Sequence, residues 1–338
     1  MTHRKAVFLM LLVTLLWSSA GVVTRHIEAA RSFELTFWRS AFNALALLIC
    51  LFWLRGPALW SQLRRPSRLV MLSALCWAVM FTAFMVAITL TSVANVLVTM
   101  ALSPLLTALL ARLFLHHRLA ARTWAAIVLA SLGIAWMFAH EVGQGAASAA
   151  GTGLLGIAVA MGVPIASAVN WCVMQYAGRA PVSREGAVQG SDVGKDLPLA
   201  VLLGALLSAL VTLPLAWPLQ ASTHDMILLA GLGAFQLALP CLLVVHLSRV
   251  LSGPEVALLA QLEVILGVLW AWLWAGEQPS SAALLGGALV LSALVANELL
   301  AWREQARKSN LNSAAGLPLR PAASQISQVT KKSSRREV

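Results

Sequence analysis

LAQLEVILGVLWAWLWAGEQP, residues 259–279, decides how this chain is read. The stretch is one long apolar run, yet Glu263 sits inside it with no basic residue within a turn. Counted from a span beginning near residue 254, that carboxyl lies ~13 Å deep in a hydrocarbon layer of ~30 Å. An acid there costs at least ~2.5–3.5 kcal/mol on insertion scales, so Glu263 is expected to face protein or a watery cavity. Two roles stay open: carrying a proton, or tying helices together through a hydrogen bond.

The rest of the chain matches that stretch in character. Of 338 residues, 59% are hydrophobic and 11% charged, with a mean hydropathy of +0.81. Soluble domains carry roughly 25% charged residues, so a soluble fold is excluded. The net charge of +11 does not indicate nucleic acid, because the basic residues sit in gaps between apolar runs and not in a patch interleaved with aromatics. Cys50, Cys76, Cys172 and Cys241 each fall inside an apolar run, with no CxxC spacing or histidine nearby. They read as buried free thiols, and neither a metal nor another cofactor is expected. The start, MTHRK followed by AVFLMLLVTLLW, imitates a secretory leader but is expected to stay as the first span.

Apolar runs between polar or Pro/Gly breaks predict an all-α polytopic membrane protein with ten transmembrane helices. They fall at about 6–24, 33–54, 69–88, 93–115, 122–140, 151–175, 197–217, 226–248, 254–275 and 281–301. Loop charge gives an independent check, since cationic loops stay in the cytoplasm. With the N-terminus inside, inner segments hold 21 of the 24 Lys and Arg, and the outer ones hold Arg25 and Arg31. Both termini are then cytoplasmic, in a cell inner membrane or plasma membrane. The basic tail from about Arg303 is expected to be disordered. The loop at 177–196 contains GSDVGKD, which lacks the phosphate-loop spacing.

Five spans per half put the second half in the opposite orientation, the inverted-repeat plan of many secondary transporters. The expected units are 1–145, 146–302 and the tail 303–338. Offsetting by 160 residues lays 91–119 on 251–279, with identities at 92/252, 96/256, 102/262, 106/266 and 109/269. Glu263 then falls opposite Ser103, beside Pro104.

Several motifs resemble the drug/metabolite transporter superfamily, specifically its two-repeat EamA-type members. They are Trp17 in LLWSSAGVV, Arg39 in LTFWRSAFNALAL, Asn95 and Pro104 in TSVANVLVTMALSPLLTALLARLFL, NWCVMQYAGR from Asn170, and Gly276–Glu277 after the ninth span. HHRL at 116–119 and Val264 after Glu263 depart from the family's usual pattern. The resemblance covers about 6–301. It implies a non-enzymatic carrier of small metabolites or drug-like molecules, working by alternating access, with export the more frequent direction.

Expected cavity residues are Trp17, Arg39, Asn43, Asn95, Ser103, Asn170 and Trp171, with Glu263 and His246 as candidates for proton coupling. Each has a bland counterpart. Arg39, ~9 Å below the outer surface, either snorkels to the interface or faces the cavity to clamp a carboxylate or phosphate. Asn43, one turn on, shares its face. Asn95, Ser103, Asn170, Gln236 and Gln261 serve equally as helix-to-helix glue. Trp17, Trp77 and Trp171 either pack or stack on substrate, and His246 is either interfacial or a relay. Two rival classes remain: a non-transporting membrane scaffold, and a lipid enzyme, which would want paired carboxylates or a histidine cluster at one depth.

Overall fold

The computed structural model describes residues 3–115 apart from 31, residues 150–179 and 190–251, and, with gaps, parts of 121–136 and 253–303. The described residues form helices and no strands. In chain order these are α1 His3–Ser18, α2 Ala20–Thr24, α3 Ser32–Arg55, α4 Ala58–Arg64, α5 Arg68–Leu90, α6 Val93–Met100 and α7 Ser103–Leu115. Then come α8 Ala150–Ala160, α9 Gly162–Arg179, α10 Gly190–Ala216, α11 Thr223–Gly231, a π-helical segment Leu232–Ala238, α12 Leu239–Leu247, α13 Gly253–Ala260 and α14 Leu262–Trp274. Residues 1–293 make one compact unit, and 294–338 a second whose tail beyond Arg303 lies outside the described residues.

Seven helical stretches are long and apolar enough to cross a membrane: Lys5–Thr24, Phe33–Arg55, Arg68–Leu90, Asn95–Phe114, Leu154–Ala177, Asp196–Ala216 and Thr223–Leu247. They coincide with the first four and the sixth to eighth expected spans. The described residues therefore support seven crossings and not the full ten. The fifth, ninth and tenth runs appear only as shorter helical pieces, because gaps interrupt them. HHRL at 116–119, Gln261 and Glu277 lie outside the described residues. One expectation is corrected. Residues 190–196 are not loop but the opening turns of α10. Polar composition disguised them, while Asp196 pairs with Arg55 of α3 at 3.3 Å.

Three spans are interrupted within their length. The first breaks at Ser19 between α1 and α2, the fourth at 101–102 before Ser103, and the sixth at Met161. Pro104 and Pro164 stand within the first three residues of the helices that follow, where the missing N–H costs nothing. The π-helical segment interrupts a fourth span and follows no proline. In contrast, the Gly253–Pro254 pair opens α13 and does not bend a span.

α3, α5 and α10 form the packed centre, with α9 against both α5 and α7 and with α1 against α12, α13 and α14. Small residues let these helices touch. A Cβ at Gly233 would stand 2.6 Å from Phe42 Cβ and 2.7 Å from the Arg39 carbonyl, so only glycine seats the π-helical segment directly on α3.

One end of the bundle is fastened by two buried carboxylates. Asp225, at the start of α11, accepts hydrogen bonds from the backbone N–H groups of Glu28, Ala29, Ala30 and Ser222 at 3.0–3.3 Å. Glu34, at the start of α3, accepts from those of Gln220 and Ala221, both at 2.7 Å, and from Trp38 Nε1 at 3.4 Å. Each acid thus satisfies the loop leading into the other's helix.

Candidate functional site

The sequence places a guanidinium, a carboxyl and several indoles deep in apolar helices, and the fold gathers most of them around one cavity. Its wall is drawn from the first, second, third, fourth, sixth and eighth spans and from α13 and α14. The open volume is ≈ 80 Å³. At ~10–15 Å³ per water centre, that accommodates about half a dozen waters or a small solute.

Arg39 faces this cavity from α3, and its side chain is almost wholly buried. Its Nη2 donates to Gln236 Oε1 at 2.9 Å, while its guanidinium carbon lies 5.7 Å from the centre of the Phe84 ring. Gln236 is presented by the π-helical segment, and its Nε2 donates to the Trp17 carbonyl at 3.0 Å. That carbonyl lies next to the break between α1 and α2. One amide therefore fixes the cation and satisfies backbone at an interrupted helix. Arg39 Nε has no partner.

Glu263 enters from α14, 7% exposed, and what exposure it has opens on the cavity. Among the described residues it makes no hydrogen bond and no ion pair, although Arg39 acts on it electrostatically. Its oxygens are free to meet a ligand or a proton.

Aromatic and small polar groups complete the wall. Trp77 meets Trp171 edge-on, ring centres 5.9 Å apart at 88°, and leans on Phe81 at 5.4 Å. The Trp77 Nε1 donor is buried without a partner. Ser103, at the start of α7, shares a 2.6 Å hydrogen bond with Ser167 of α9. Met80, Met100 and Cys241 supply soft apolar surface.

Of the residues singled out from sequence, Trp17, Arg39, Ser103, Trp171 and Glu263 line this cavity together. The other four lie elsewhere. Asn43 is fully buried off the wall, with both amide atoms unpaired. Asn95 donates to Thr91 Oγ1 at 3.1 Å, and Asn170 Oδ1 accepts from Ser73 at 2.6 Å. His246 is exposed near the end of α12. Trp77 and Gln236, weighed in the sequence between packing and the cavity, also reach the wall, whereas Phe84 was not singled out. No spacing could have marked Phe84, since in apolar helices every face reads alike.

Residues 4–139 match the model of the EamA-like transporter family. No curated protein matches the chain. A solved crystal structure shares the fold, with a TM-score of 0.61 over 88% of this chain and 99% of its own, at 20% identity. The seven membrane-length apolar helices define the class as a multi-pass membrane protein, similar over residues 4–139 to the EamA-like transporter family.

Proposed function

We propose that the chain is a secondary transporter that moves a small metabolite or drug-like molecule across the cytoplasmic membrane by alternating access, in the direction of export. The carrying observation is a buried cavity in which a guanidinium and an unpartnered carboxyl face the same space. A scaffold has no use for an unpaired buried acid, which costs stability unless a ligand or proton occupies it. Glu263 is the coupling group, alternately protonated and ionised as the cavity exchanges sides.

The packing supports two inverted repeats, 1–145 and 146–302. Exchanging the first five spans for the second five turns each principal helix contact into another that is present. The pairing of α5 with α10 becomes that of α3 with α11 and the π-helical segment, and α9 with α5 becomes α1 with α12. α6 packs on α14 while α7 packs on α13, a reciprocal crossing. The two residues superposed by the 160-residue offset, Ser103 and Glu263, both reach the cavity. In this reading both termini are cytoplasmic and the Asp225 and Glu34 fastening lies on the outer face.

The test compares metabolites released by cells overproducing the wild-type chain with those from cells carrying Glu263→Gln at equal membrane abundance. Compounds exported only by the wild type are then taken into counterflow in vesicles. Identical release profiles and an unchanged dependence on the proton gradient would falsify coupling through Glu263.

A further inference from the structure

The connection between the second and third membrane-length helices is a short amphipathic helix, and its pose is fixed from both sides. α3 ends at Arg55 and α5 begins at Arg68, so α4 lies where the chain leaves and re-enters the membrane. Gly56, at φ +58°, closes α3 with its N–H on the Phe52 carbonyl at 2.8 Å, and Pro57 leads into α4, the usual helix stop. Leu59 is fully buried in the core, and half-buried Leu63, one turn on, packs against that core. Arg55 donates to Gln62 Oε1 and pairs with Asp196 of α10. Ser67 then caps α5, accepting from the Val70 N–H at 3.3 Å.

The other face of α4 carries Trp60, 52% exposed, with Ser61 and Arg64, and exposed Arg65 and Arg68 follow. The neighbouring sequence supplies these cations no counter-charge, since residues 35–140 contain no Asp or Glu. Asp196, an acid the fold brings to this end, is taken by Arg55. Among the described residues, Arg64, Arg65 and Arg68 form no hydrogen bond and no ion pair. Arg112, by contrast, lies over the Trp124 ring at 5.4 Å.

We propose that this face of α4 binds an anionic phospholipid, its phosphodiester on Arg64, Arg65 and Arg68 and its glycerol region against the Trp60 indole. Uncommitted guanidiniums at a membrane boundary match the charge and the oxygens of a lipid phosphate, and an indole settles between headgroup and hydrocarbon. A free phosphate or an acidic soluble protein engages the arginines but leaves the indole in water, so lipid is the occupant. A lipid bound here braces α4 and, through Arg55, the meeting of α3 with α10.

The experiment places the full-length chain in nanodiscs of phosphatidylcholine, alone or mixed with phosphatidylglycerol. It reads melting temperature, and native mass spectrometry of the detergent-extracted protein reads the lipid retained. Phosphatidylglycerol is expected to raise the melting temperature and to be retained about tenfold above its share of the mixture. Arg64→Gln, Arg65→Gln and Arg68→Gln combined are expected to abolish that preference, each arginine near an anionic surface being worth about fivefold. Their melting temperature in phosphatidylcholine alone is expected to match the wild type. Rising salt is expected to weaken the wild-type preference, a readout that needs no variant to fold. Trp60→Ala is expected to lower retention while leaving the salt dependence in place. A preference that the triple variant keeps overturns the proposal. So does one lost equally with Lys332→Gln, Arg335→Gln and Arg336→Gln in the tail, or stabilisation by glycerol phosphate equal to that by phosphatidylglycerol. Both leaflets of a nanodisc hold the same lipid, so the outcome stands apart from the transport reading and from the side of the membrane that α4 faces.

Discussion

Arg39 shows how one side chain in this molecule is read differently by sequence and by structure. From sequence it was as fit to snorkel as to face inward. The structure buries it, bonds it to Gln236 and sets it over Phe84. A lysine there keeps the charge but lacks the planar fork that can meet Gln236 and a ligand at once. Arg39→Lys is therefore expected to raise the substrate KM in counterflow about tenfold or more, since each 1.4 kcal/mol lost is a factor of ten, with a smaller effect on maximal rate. Asn43 gives the opposite expectation. Its amide is buried with no partner for either atom, and an isosteric apolar side chain removes that desolvation cost. Asn43→Leu is expected to raise the unfolding free energy by about 1 kcal/mol and to leave transport unchanged, measured as melting temperature and counterflow rate. Lost transport with intact folding would instead put Asn43 in the substrate path.

At the scale of the element, the π-helical segment and the carboxylate fastening matter most. Gly233 brings the segment against α3 beside Arg39, and a methyl group there meets backbone oxygen at 2.7 Å. Gly233→Ala must push the segment away and carry Gln236 off the guanidinium. The expected cost is about 1–3 kcal/mol of overpacking, with weakened ligand binding, read from melting curves with and without ligand. Asp225 gathers four backbone N–H groups into one buried carboxylate. Asp225→Ala leaves them without an acceptor and is expected to cost ~3 kcal/mol, seen as a lower melting temperature and faster amide exchange at residues 28–30. Neither the π-helical segment nor the fastening was legible in the sequence. The segment has no proline or polar run to mark it, and Asp225 reads as an ordinary helix cap until the distant 28–30 loop is placed beside it.

For the whole molecule, the number and order of apolar runs were legible, and seven of ten appear as membrane-length helices. The 160-residue offset, drawn from five identities in leucine-rich sequence, pairs Ser103 with Glu263, and both face one cavity. If the halves are inverted repeats, a reporter fused after residue 302 will report the cytoplasmic side and one fused after residue 145 the outer side. Fusions within 25–31 and 217–222 will report the outer side. A reporter at 145 that reads as cytoplasmic would remove the two-repeat plan.

Hydropathy is a property of short stretches, so the sequence alone determined that this chain is helical and membrane-spanning. It also marked Glu263 as an acid too deep to face lipid. Which side chains meet Glu263 was decided only by tertiary structure. Water and lipid pull apart the two faces of a soluble helix, but a helix in a bilayer is apolar all round, and its cavity face carries no periodic sign. The break at Ser19, the π-helical segment and the tether from Gln236 to Arg39 and Trp17 become visible only once the helices are packed.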